Sequence, residues 1–204
     1  MKKLLTILCL VLLVSCSPPD GSHESFYEDG QLHVKENYKN GKRDGRYESF
    51  YENGQSQERL NYKNGKRDGL HELFSTDGRL YERSNYKDGK KDGVFEMYSF
   101  DFDCLEWRGN YKEGILHGLS EGYYENCQLE YRVNYKEGKL EGFYEEFDED
   151  GNLTETGDND EKLNGTTKNV GSPSILLILR GFLFLCFLYG IVTFFFKDQE
   201  DEKN

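Results

Sequence analysis

Aliphatic side chains are scarce in the middle of this 204-residue chain. Only 36% of its residues are hydrophobic, and the long apolar runs, LLTILCLVLLV and ILLILRGFLFLCFLYGIVTFFF, lie at the two ends. That excludes a thick core of Leu, Ile and Val between them. Positive charge is short as well: 26 Lys and Arg stand against 38 Asp and Glu, a formal net charge of -12. Such a balance works against gripping nucleic-acid phosphates, and no nucleic-acid partner is expected. Constellations that carry chemistry are missing. The four histidines, His23, His33, His71 and His117, occupy unrelated positions. No Ser/His/Asp order, zinc spacing or phosphate-cradling glycine loop occurs. DEDGN at 148–152 lacks the ligand spacing and closing Glu of a calcium loop and reads as a turn. The expectation is a non-enzymatic protein with no cofactor and no metal. Helix is also excluded from the middle, where glycine recurs too often and no 3.6-residue apolar stripe survives.

What the middle does have is aromatic and periodic. The chain holds 15 Tyr and 14 Phe. The nonapeptide NYKNGKRDG occurs at 37–45 and again at 61–69, and returns as NYKDGKKDG, NYKEGILHG and NYKEGKLEG. Its Asn positions are 37, 61, 85, 110 and 134, so the steps are 24, 24, 25 and 24. A degraded sixth copy begins at Asp158. Between copies runs a second phrase, FYEDGQL at 26–32, FYENGQS at 50–56, and its relatives further on. A fixed period over more than a hundred residues marks a repeat architecture. Each unit carries two turn signals, because Asn-Gly and Asp-Gly supply the positive φ that tight hairpins need. Between the turns the residues alternate: Leu129, Tyr131, Val133 and Tyr135 take one face, Glu130, Arg132 and Asn134 the other. Period two with aromatic content means strand. The fold class expected is therefore all-β, with hairpins joined edge to edge in one extended antiparallel repeat sheet.

Equivalent aromatics then form ladders. Phe26, Phe50, Phe74, Tyr98, Tyr123 and Phe147 make one; Tyr38, Tyr62, Tyr86, Tyr111 and Tyr135 make another. Two strands per unit place successive rungs roughly 10 Å apart, so the rings meet through the side chains of the intervening strand. Stability is expected to come from neighbour contacts along the array.

The ends imply export and anchoring. Lys2 and Lys3 precede a short apolar stretch, Leu4 to Val14, which reads as a secretory signal peptide over residues 1–15. Its last residues, Leu13-Val14-Ser15-Cys16, resemble the lipobox of bacterial lipoproteins, which implies lipidation of Cys16; an ordinary signal peptide is the alternative. The 22 residues from Ile175 to Phe196 would span roughly 33 Å as a helix, enough for a bilayer. The expected order is signal peptide 1–15, linker 16–23, repeat domain 24–165 of about six units, linker 166–174, transmembrane helix 175–196 and acidic tail 197–204. The protein is placed at a bacterial cell membrane, held by a lipid anchor and the C-terminal helix. The repeat domain is exported, to periplasm or cell exterior, and the tail is cytoplasmic.

NGKRDG, with its Gly-x-x-x-Gly spacing and Tyr38 two residues before Asn40, resembles the loop of MORN repeats. The FYENGQ phrase is closer to the bacterial variant of that repeat, found in YwqK-type antitoxins of toxin–antitoxin modules. The resemblance covers about residues 24–165. It implies a MORN-type sheet that binds a protein partner, a toxin if the antitoxin likeness holds, at the cell envelope. The rival expectation is a lipid-contacting or structural envelope module.

Three groups of side chains are candidate sites. Glu24, Glu48, Glu72, Glu96, Glu121 and Glu145 each precede a ladder aromatic by two. They form either a binding stripe for a basic surface or internal acceptors that serve the repeat. The loop cations Lys42-Arg43, Lys66-Arg67 and Lys90-Lys91 line one edge, as contacts for headgroups or an acidic partner, or as solubilising charge that guards the sheet. Cys104 and Cys127 fall near the same hairpin end in neighbouring units. A disulfide competes there with two free thiols, because rungs roughly 10 Å apart exceed the reach of a bridge unless the residue inserted near Cys104 closes the gap.

Overall fold

The structure is a computed structural model that describes residues 18–102 and 104–158. The expected signal peptide, the lipidation candidate Cys16, the sixth repeat copy beyond Asp158, the 166–174 linker, the transmembrane helix and the tail lie outside the described residues. Among the described residues no helix is long and apolar enough to cross a membrane.

Every regular element described is a β-strand, as the alternation requires. In order they are β1 (Gly21–Phe26), β2 (Leu32–Lys39), β3 (Lys42–Arg43), β4 (Gly45–Phe50), β5 (Ser56–Lys63), β6 (Lys66–Phe74) and β7 (Leu80–Lys87). They continue as β8 (Lys90–Tyr98), β9 (Leu105–Lys112), β10 (Ile115–Leu116), β11 (Gly118–Tyr123), β12 (Leu129–Lys136), β13 (Lys139–Phe147) and β14 (Leu153–Asp158). The chain divides into two compact units, with the boundary between Gly93 and Val94, inside β8. In the first unit the antiparallel order is β1-β2-β4-β5-β6-β7, with β3 folded back on β2. In the second, β9-β11-β12-β13-β14 pair in the same manner, with β10 folded back on β9. Each unit is thus the hairpin meander that the period implies.

The nonapeptide has two tasks. Its Asn-Gly makes a two-residue turn with both φ angles positive, 52° and 69° at Asn40-Gly41 and 53° and 81° at Asn64-Gly65. These are type I′ angles, the turn whose twist suits a hairpin. Its second task is to seat the turn of the next repeat. The amide of Gly65 donates to the Arg43 carbonyl at 2.8 Å, and the amide of Asn64 donates to the Asp44 carboxylate at 2.9 Å. One repeat later Gly89 donates to the Arg67 carbonyl at 2.9 Å and Asp88 to Asp68 at 3.3 Å. So both turn amides of one repeat are satisfied by the KRDG of the repeat before it, and neighbouring copies must match. In the second unit Gly138 still donates to the Leu116 carbonyl, but His117 stands where the Asp would be.

The opposite turns carry a different staple. Five of them are closed by a residue in the left-handed region, Gly30, Gly54, Gly78, Cys127 or Gly151, with Gly30 at φ 87°. The hydroxyls of Tyr27, Tyr51 and Tyr124 donate to the carbonyls of Phe50, Phe74 and Phe147 at 2.7, 2.8 and 2.8 Å, tying each turn to the following repeat. Ser99 occupies that tyrosine position one repeat before Tyr124. There Cys104 and Cys127 form a disulfide, with Cα atoms 5.6 Å apart. The spacing of roughly 10 Å expected between rungs fails at this edge, because successive turns lean together. Asn53 and Asn126 donate their side-chain amides to Thr76 and Glu149 of the next turn at 2.6 and 2.7 Å. Cys127 itself sits at φ 68° in the place that glycine fills in the sister turns.

The two sheet faces have distinct characters. Calling the tyrosine-ladder side the inner face, the second unit buries Phe95, Met97 and Trp107 there, with Tyr111, Leu116 and Tyr131 packed against them. Large rings lie over glycines. A Cβ added to Gly109 would fall 2.1 Å from the Trp107 ring, and one added to Gly122 would fall 2.3 Å from Tyr131. Neither glycine has a positive φ; both are needed for close approach, a pairing that lets an aromatic cover bare backbone.

Candidate functional site

On the outer face the six glutamates of the candidate stripe stand within a ladder of alternating charge. In the first unit the cross-strand register runs Glu24, Lys35, Glu48, Arg59, Glu72, Arg83. In the second it sets Glu121 beside Arg108 and Arg132, and Arg132 beside Glu145. Lys35 is 2.8 Å from Glu24, Arg59 3.9 Å from Glu48, Arg83 3.4 Å from Glu72 and Arg108 2.7 Å from Glu96. Arg132 pairs with Glu145. Directly opposed opposite charges contribute roughly 0.2–1 kcal/mol per pair, less where water screens them. A cation lies eleven or twelve residues after each Glu except Glu145, where Thr156 takes that place, a spacing readable in the sequence. The outer aromatic ladder flanks this row, with the guanidiniums of Arg59 and Arg132 over Phe74 and Phe147 at 4.7 and 5.8 Å.

The inner ladder behaves as expected of rings two strands apart. Tyr38, Tyr62, Tyr86 and Tyr111 meet not each other but the ring on the intervening strand: His23, Tyr47, His71 and Phe95, at centroid distances of 5.3, 6.0, 5.6 and 5.9 Å. Tyr135 continues the row, half-buried, and its pKa is raised by burial.

The loop cations split into two populations. The first of each pair, Lys42, Lys66 and Lys90, is exposed. The second turns inward. Arg43 donates to Glu36 at 2.6 Å and lies 5.2 and 5.4 Å from the Tyr47 and Tyr62 rings. Arg67 is 3.7 Å from Glu58 and 5.4 Å from the Tyr86 ring. Lys91 is 3.9 Å from Glu82, and burial pushes its pKa down against the pull of that carboxylate.

A buried polar cluster in the first unit was invisible in the sequence. His71 Nε2 lies 2.8 Å from Glu58, and its Nδ1 lies 3.3 Å from the Ser84 hydroxyl. Ser84 also donates to Glu82 at 3.2 Å. The trio has the residue types of a hydrolase, yet Ser84 has 0% exposure and no substrate can reach its oxygen. The arrangement satisfies buried polar groups, as buried polar groups must be. Among the described residues no group of three or more His, Cys, Asp or Glu is placed to hold a metal ion.

Residues 19–40, 43–64 and 116–137 each match the family model described as MORN repeat variant. The chain carries MORN-variant repeats. Each matched segment ends on the first residue of a type I′ turn, Asn40, Asn64 or Glu137. The MORN unit here therefore runs from one such turn to the next, and its all-β sheet is a repeat module. No curated protein matches this chain. Among solved structures it is similar to S. aureus TarM, in a mutant crystallised with Fondaparinux, alpha-GlcNAc-glycerol and UDP, at 13% identity and a TM-score of 0.32. It is similar to a second TarM crystal structure at 16% identity and a TM-score of 0.32. The likenesses cover 69% and 68% of this chain but only 23% of either TarM chain, and at that score they say nothing of fold or activity.

Proposed function

We propose that this chain is a membrane-anchored, non-enzymatic MORN-variant module that binds another protein. One observation carries the proposal: an apolar row left open on the outer face of the second unit. Val94, Leu119 and Phe143 are 37%, 44% and 60% exposed. Polar side chains border them, with Asn134 directly opposite Leu119 and Asn110 donating to the Leu119 carbonyl at 2.9 Å. The equivalent positions of the first unit are Arg46, bonded to Glu48 at 2.8 Å, and Leu70, which is exposed like the row in the second. An apolar centre inside a polar rim is the anatomy of a protein interface. The two apolar ends of the sequence support anchoring, and the likeness of the repeat phrase to YwqK-type antitoxins supports a toxin as the partner.

A photoreactive residue placed at Leu119 or Phe143 in the native host tests the binding surface. The same protein should be crosslinked from both positions and not from Asp101, and Phe143→Asp should cut the yield from Leu119 at least tenfold. Equal yields from Asp101 would contradict the proposal. Rescue of a co-expressed toxin would support the antitoxin role, and release of the chain from host membranes by alkaline carbonate would contradict the anchor.

A further inference from the structure

We propose that the Asn-Gly turn edge of the first unit binds a linear phosphate polymer. Six lysines, Lys39, Lys42, Lys63, Lys66, Lys87 and Lys90, flank its three type I′ turns, and all six are exposed. Lys39 directly opposes Lys42, and Lys63 directly opposes Lys66. Like charges set directly across a ladder repel one another, so the arrangement weakens the hairpin that carries it. None of the six takes part in an ion pair among the described residues, although the chain as a whole carries a net charge of -12.

The stems are held in order. An added Cβ at Gly65 would touch the Lys42 Cβ at 3.7 Å, and one at Gly89 would touch the Lys66 Cβ at 3.7 Å. Lys42 and Lys66 therefore lie across the bare glycine of the following turn, and the lysines advance along the edge one stacked turn at a time. Local acid offsets only part of this charge: Asp20, Asp44 and Asp68 accept from the turn amides of Asn40, Asn64 and Asp88, and Asp88 itself stands at a turn tip, four carboxylates against six lysines.

The chemistry selects the partner. Lysine is a compact point charge without a bidentate fork, suited to phosphate oxygens whose positions vary. The edge is a line of charge, not a plane, so a chain with phosphates along its length can follow it from turn to turn. The turn tips are Asn-Gly and Asp-Gly, with no aromatic or aliphatic residue to insert into a bilayer and none on which a nucleobase could stack. In the second unit Lys112, Lys136 and Lys139 hold equivalent positions, but Glu113 and Glu137 enter the turns, Ile115 replaces one lysine and Lys136 lies 2.7 Å from Glu141. The proposed line uses the first unit's lysines and the apolar row of the proposed function lies in the second, so the two proposals stand or fall separately.

Full-length protein in neutral detergent, titrated with long-chain polyphosphate, tests the edge. Six contacts predict an affinity that falls about 300-fold between 50 and 200 mM salt, at the slope of a single-stranded polyanion. Changing all six lysines to Gln should abolish the salt-dependent binding with the far-ultraviolet spectrum unchanged. The six Lys→Arg changes should retain it, and Phe143→Asp should leave it untouched. Binding retained by the Gln variant, or absent from the wild type, would overturn the proposal. So would tighter, lysine-dependent binding to phosphatidylglycerol vesicles than to polyphosphate, which would assign the edge to a lipid surface.

Discussion

The two units solve the same packing problem with different chemistry. On the inner face of the first, successive repeats place His71 at the position that Phe95 takes in the second, and Glu58 and Glu82 at the position of Trp107 and Tyr131. The inward loop cations Arg43, Arg67 and Lys91 become Leu116 and Leu140. Hydrogen bonds and ion pairs bind the first face together; the second is an apolar cluster around Phe95, Met97 and Trp107. One backbone period accepts both, because the hairpin turns and the docking of turn on turn are made by main chain and by residues outside either face. What the repeat demands is geometry; what fills the inner face is free to differ.

The largest test of that contrast lies in the apolar face. Phe95→Ala should cost about 3–5 kcal/mol, the usual range for emptying a packed aromatic site, read as a lower midpoint of urea unfolding. Opening the Cys104–Cys127 bridge comes next. It closes a loop with a sequence separation of 23, which the chain-entropy relation values at about 3 kcal/mol; thermal unfolding with and without a dithiol reductant measures it. Cys127→Gly should give back part of that loss, because it relieves the positive φ.

The polar face is tested by breaking and by replacing it. Glu58→Ala leaves His71 buried without its carboxylate and should cost about 1–3 kcal/mol. The double change Glu58→Leu with His71→Phe imports the chemistry of the second unit, and should be neutral or more stable than the wild type. A loss as large as that of Glu58→Ala alone would show that the two faces are not interchangeable. The turns differ too. The first unit uses Asn40, Asn64 and Asp88 in the left-handed region, the second Glu113 and Glu137. Glu137→Asn should stabilise by about 1 kcal/mol, since Asn adopts that conformation readily.

A smaller effect concerns pH. Burial raises the pKa of Tyr144 to about 12, aided by its bond to Glu155. A phenol whose folded pKa is raised lends stability below its unfolded value near 10 and loses it as pH climbs toward 12. Tyr144→Phe should therefore flatten the fall of stability over that window.

The turns and strands were legible because they depend on local rules. Asn-Gly announces positive φ, and alternation announces a pleat, so the hairpins and both aromatic ladders could be placed from Tyr38 or Phe50 alone. The Glu stripe was legible as a row but not as a ladder, because the partner of Glu48 is Arg59 on the next strand and belongs to a different phrase. The bridge at Cys104 could not be decided, because a flat sheet hides how far neighbouring turns lean together. His71 was unreadable for a related reason: its partners Glu58 and Ser84 lie 13 residues away on either side, and non-repeating residues leave no periodic trace.

Amide hydrogen exchange at Asn64 and Gly65 addresses most directly the claim that each type I′ turn is seated on the KRDG of the preceding repeat. Both amides should be protected in the wild type, and Asp44→Ala should expose Asn64 while Gly65, bonded to the Arg43 carbonyl, stays slow. Free exchange at both positions in the wild type, or no change at Asn64 when Asp44 is removed, would contradict it.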